Sequence, residues 1–170
     1  MFKYEIKYGI LTGAGICFWI LLEFLLGFHS DKMNMGEYSL YFVVIIPLIT
    51  IYRGIKEKRD SIFNGAISLN GGIKTGLMIS LIAAVITAVF IIVYFNFIDP
   101  GFFERGIAYH AEKLLKQKET GYEITDKLMD IKAAFSFVNQ LLFGILGTVG
   151  IGFIISIIYS FVLRKNKTSI

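Results

Sequence analysis

Apolar residues run through this chain in long blocks, not in alternation. Tyr8–Phe28 is interrupted by one charge, Glu23, while Thr75–Phe97 and Leu141–Leu163 carry none. A helix needs about 20 predominantly apolar residues to cross a bilayer, so each block predicts a membrane span. A fourth block, Tyr38–Tyr52, is shorter and contains Pro47; its length alone also fits an interfacial or re-entrant piece. Backbone groups in lipid must be satisfied within the segment, which makes the spans helices. The alternating runs of about ten residues that mark a membrane barrel are absent.

Composition removes the competing classes. Hydrophobic residues make up 55% of the 170 and charged residues 18%, with mean hydropathy +0.67. Soluble domains are about 45–50% apolar with Gly counted, and about 25% charged. A soluble fold of this size cannot hide so much apolar surface, and a chain this rich in Phe and Tyr is not disordered. The first block is longer than the apolar core of a secretory signal and lacks a small-x-small site before His29, so it reads as a retained anchor.

Charge settles the fourth block. With four spans and the N-terminus inside, the inner side holds ten of the 17 basic residues against three acids, and the outer side seven against nine. Were Tyr38–Tyr52 not to cross, Arg53–Lys74 would fall outside, against the positive-inside rule. The expected architecture is therefore an all-α integral membrane protein. Its spans cover about 8–28, 38–55, 73–98 and 135–163, with a basic inner loop over 53–74 and an outer amphipathic helical hairpin over 99–132.

The inner loop opens on Arg53, Lys56, Lys58 and Arg59, a cluster that serves as a topology determinant and suits contact with anionic lipid head groups. In the outer segment Asp99 reads as an N-cap with Pro100 at the first helical position. Phe103, Ile107, Ala111 and Leu114–Leu115 form its apolar face, opposite Glu104, Arg105, Glu112, Lys113 and Lys116. Thr120 and Glu123 can cap a second helix, running through Phe135 into the last span. The hairpin can rest on the bundle, dock a protein partner or cover a site.

Inside the membrane, small residues recur at four-residue spacing: Gly72, Gly76, Ser80 and Ala84 in the third span, and Gly144, Thr148, Gly152 and Ser156 in the fourth. Gly9 and Gly13 repeat the pattern in the first. Such rows allow close helix approach, within the chain or between copies of it, and the third span against the fourth within the chain is the expected pairing. Glu23 shares the glycine face of its helix and should point into the bundle. Asn96, Asn139 and Gln140 fall at the same depth and complete an expected polar layer; Lys32 or Arg105 could pair with the carboxylate. A carboxylate at this depth is costly and faces protein or water, in a transport site or in a structural hydrogen-bond network. Cys17 reads as a small apolar residue. His29 and His110 supply no metal-ligand spacing, and GGIKT lacks the Gly–Lys pair of a phosphate loop. No catalytic constellation, cofactor site or nucleic-acid interface is expected.

The stretch from GIKEKRD through GAISLNGGIKTGLMISLIAAVITAVFIIVYFNFIDPGFFE resembles a bacterial membrane family called domain of unknown function 4199, most specifically at Tyr94–Pro100. The charged helix and Gly-rich last span that follow share the resemblance. It implies four spans and an inner-membrane location, and carries no functional residues over. Three function classes remain in view. A non-enzymatic membrane component that binds a partner or lipid stands first, a small transporter or channel subunit using Glu23 second, and a membrane enzyme last.

Overall fold

A computed structural model describes residues 2–116 and 121–164. Seven α-helices occupy them: α1 (Lys3–Leu25), α2 (Met33–Val43), α3 (Ile45–Ile62), α4 (Leu69–Val93), α5 (Phe102–Leu115), α6 (Gly121–Ala134) and α7 (Phe137–Leu163). Four stretches are long and apolar enough to cross a membrane: α1, α2 with α3 over 33–62, α4 with its extension to Ile98, and α7. The second is longer than the apolar run that announced it, because amphipathic turns extend it at both ends. It breaks at Val44, so that Pro47 falls in the first turn of α3, where a missing N–H costs little.

The start of α1, the α3–α4 connection and the end of α7 share one end of the bundle, here the terminal end. Three contacts hold them there: Lys7 Nζ to Glu57 at 2.9 Å, the Ile67–Arg164 bridge, and Arg59 Nη1 donating to Leu163 O at 3.5 Å. Lys58 reaches across to the buried Glu5 and donates to Thr75 Oγ1 at 3.1 Å. Tyr8, Ile51, Ile55, Ile67, Ile79, Ile155 and Leu163 fill the space between.

Small residues bring α4 and α7 together as an antiparallel pair. A Cβ built on Gly72 or Gly76 would collide with Ser160 or Ser156, and one built on Gly152 with Ser80. Each step of four up one helix meets a step of four down the other, Gly against Ser. On the other side of α4, Cβ atoms at Gly9 and Gly13 would lie 2.6 Å and 2.8 Å from Ile82 and Ile86. Most hydroxyls buried in these seams bond the carbonyl four residues back, as Ser80 does to Gly76 and Ser156 to Gly152.

The opposite, hairpin end departs from expectation in two places. Asp99 is not an N-cap: α5 starts at Phe102 after Gly101, and the Asp99 side chain turns inward to Arg105. Nor does α6 run into the last span. It stops at Ala134, and Ser136 caps α7 by accepting from Asn139 N. The packed face of α5 centres on Gly106 and Leu114, while Leu115 is exposed. Gly106 receives the Phe135 ring, where a Cβ would clash. Thr120 and the Glu123 side chain lie outside the described residues.

Candidate functional site

The chemistry of the hairpin end starts from how α1 stops. Gly27, at φ +80, ends the helix: its N–H bonds Phe24 O at 3.0 Å, and Phe28 N bonds Glu23 O at 2.9 Å. This is the paired closure typical of a left-handed C-terminal residue, which Gly adopts without strain. It folds the chain back so that His29 covers the end of its own helix. Gly36 of α2 lets the turn approach, since a Cβ there would lie 2.6 Å from Phe28 O.

Glu23 is buried at 7% exposure. Its Oε1 accepts from Trp19 Nε1 at 2.6 Å, one helical turn back, and from Ser39 Oγ of α2. Its Oε2 lies 3.5 Å from His29 Nε2. His29 Nδ1 lies 2.6 Å from Tyr94 OH, and Tyr94 OH donates to Asp99 Oδ2 at 3.3 Å. Asp99 pairs with Arg105, whose Nε donates to His29 O at 3.0 Å. A π-helical turn, Tyr94–Ile98, ends the third span. It places Tyr94 inside, at 1% exposure, and Phe97 outside, at 79%.

The expected polar layer is only partly assembled. Asn96 is exposed and donates to Ile92 O at 2.7 Å. Asn139 and Gln140 donate to Ala133 O and Ala134 O, at 2.7 Å and 3.2 Å. They bond carbonyls at the end of α6, where Ala133 O also accepts from Ser136 N and Oγ, and none of the three amides bonds Glu23. Lys32 is exposed, and Arg105 belongs to Asp99. The partners that Glu23 does have were legible only in part. Trp19 follows from i, i+4 spacing, whereas Ser39 and His29 depend on the helix stop and the span crossing.

Two cavities meet at Glu23. One, of about 310 Å³, lies between α1, the α2–α3 break, α4 and α7. Ile16, Trp19, Ile20, Pro47, Ile91, Phe143 and Gly147 line it with Thr87 and Glu23. Thr87 Oγ1 is buried without a hydrogen-bond partner, unlike the neighbouring seam hydroxyls. The other, of about 210 Å³, lies beyond Glu23 under the hairpin, lined by His29, Glu37, Ser39, Gly106, His110 and Gln140 among others. Lys113 holds Glu37 at 2.8 Å, and that hydrogen bond raises the Lys113 pKa. Burial pushes the His110 imidazole below its ordinary range. Among the described residues no group of His, Cys, Asp and Glu is arranged to hold a metal ion.

The basic cluster divides. Arg53 and Lys56 are exposed, and the Lys56 ammonium lies 5.8 Å from the Tyr52 ring centroid. Lys58 and Arg59 do not present themselves to head groups as expected. The first is spent on Glu5 and Thr75, the second on Asp60 and Leu163 O.

A helical membrane bundle with a cavity at a buried carboxylate is the class that these features define. Residues 7–165 match the family model described as protein of unknown function (DUF4199), and the chain belongs to that family. No curated protein and no solved structure matches it.

Proposed function

We propose that this chain is a non-enzymatic, multi-pass component of a bacterial inner membrane that binds a lipid-like amphiphile in the hairpin half of its bundle. The observation that carries the reading is the cavity of about 310 Å³ with Glu23 in its wall. Its size falls in the range of about 300–1,000 Å³ usual for small-molecule sites, and an apolar lining with few polar groups is their usual make-up. A transport role for Glu23 is the second reading. It requires passage through the terminal half, where Ile51, Ile55 and Ile79 are 0% exposed, and that packing favours binding over passage. The charge asymmetry supports a cytoplasmic terminal end, where Arg53 and Lys56 meet anionic head groups.

Native mass spectrometry of protein extracted in a mild, uncharged detergent tests the binding reading. The unmodified chain is expected to carry a bound amphiphile. Gly147→Leu should lose it while remaining folded, because a Cβ at Gly147 meets nothing within 4 Å and projects from a cavity-lining residue. An unmodified chain without adduct, or a Gly147→Leu chain with the same adduct, overturns the reading.

A further inference from the structure

Three carboxylates are buried among the described residues: Glu5, Glu23 and Asp99. Lys58 pairs with Glu5 and Arg105 with Asp99. Glu23 has neither kind of cation; its donors are an indole, a hydroxyl and, at 3.5 Å, an imidazole. A carboxylate desolvated without a full counter-charge is costly, so this position favours a cation arriving from elsewhere. Both cavities border Glu23, and neither is lined by Lys or Arg. The second acid of the outer cavity, Glu37, is already neutralised by Lys113, and His110 is held toward its neutral form by burial. Glu23 is therefore the carboxylate of the combined space that no Lys or Arg pairs, and it stands where the apolar cavity gives way to the polar one.

We infer that the ligand is an amphiphile with an ammonium head. The head lies at Glu23 in the outer cavity, and the hydrocarbon chain lies in the inner one, among Ile16, Ile20, Ile91 and Phe143. This rests on the binding reading above and assigns the chemical class of its ligand. A membrane lipid with an amino head group and a soluble alkylammonium share that chemistry.

Trp19 is the chain's single tryptophan and lines the inner cavity, so a bromine on the ligand's tail reports occupancy by quenching it. The probes are dodecyltrimethylammonium and dodecanoate, each with a terminal bromine, added to the protein in dodecyl maltoside. Brominated phosphatidylethanolamine is a third arm that separates a lipid source from a soluble one. The ammonium probe should quench saturably at a concentration about tenfold lower than the carboxylate. Glu23→Gln should remove that preference, and Gly147→Leu should abolish saturable quenching by every probe. If Glu23→Gln does not fold, the ratio in the unmodified chain decides alone. Equal saturable quenching by both dodecyl probes, lost in Gly147→Leu, overturns the cationic head and leaves the binding reading intact. No saturable quenching by any probe overturns both.

Discussion

Glu5 and Glu23 stand at opposite ends of α1, both buried, and the halves of the bundle around them are built differently. Glu5 is clamped by Lys58 from α3, beside Thr75 of α4 and an isoleucine-rich core. Its half contains the Gly–Ser seam of α4 and α7, where no methyl group can be added without collision. Glu23 is held by dipoles and an imidazole, between two cavities, under a hairpin. In lipid no hydrophobic drive pushes helices together, so close packing at small residues and buried polar pairs must supply the cohesion. The terminal half supplies it between its helices, and its largest groove, of about 460 Å³, lies on the surface beside Tyr52, Arg53 and Glu57. The hairpin half keeps space between its helices at Glu23, and that space is what a ligand can use.

Breaking the contacts of each carboxylate, from the cation's side at Glu5 and from its own side at Glu23, should separate the two designs most widely. Lys58→Met leaves Glu5 buried with no cation, a loss of about 3–5 kcal/mol for a broken buried pair. Glu23→Leu strands the Trp19, Ser39 and His29 donors at about 1–3 kcal/mol, and Glu23→Gln, which keeps most of the hydrogen bonds, costs less. Unfolding in a common detergent checks the order. A Glu23→Leu chain less stable than Lys58→Met would reverse the comparison.

Within α7 the same contrast should appear between two glycines. Gly152→Leu forces its side chain into Ser80 and should cost about 1–3 kcal/mol or more. Gly147→Leu enters open space and should stay within about 0.5 kcal/mol of the unmodified chain. Matching thermal shifts for the two would show that the hairpin half is as tightly packed as the terminal half.

How much of this was legible follows from where each signal resides. Long apolar runs and the charge balance are properties of the chain itself, so the helical membrane fold could be read directly. Spacing by four names which small residues share a face, and the matching rows of the third and fourth spans pointed to the α4–α7 seam; that the row of the first span meets Ile82 and Ile86 of α4 was not legible. Glu23 stood out by its cost in lipid, yet its surroundings did not. Asn96, Asn139 and Gln140 matched it in depth, but each has a carbonyl close by in sequence, and a short side chain takes the nearest partner. His29 comes within reach of Glu23 through the turn at Gly27. Asp99 bonds Arg105 because α5 starts at Phe102, later than the Asp-Pro signal implied.

The smallest effect concerns how the hairpin is held over the outer cavity, and it is one of pH. His110 of α5 packs on Phe135, ring centroids 5.0 Å apart. Burial lowers its pKa from the ordinary 6.5; Glu37 of α2 raises it and Lys113 of α5 lowers it. A group that is harder to protonate when docked binds protons more weakly in the docked state than in the undocked one. The docked state is therefore favoured in full above the ordinary value, and loses stability as pH falls through it toward the docked pKa. Amide exchange along α5, corrected for intrinsic rates, should show protection declining between about pH 7 and about pH 5. His110→Phe keeps an aromatic ring against Phe135 and removes the titrating group, so its protection should hold steady over that range. The same decline in His110→Phe would place the pH dependence elsewhere in the hairpin.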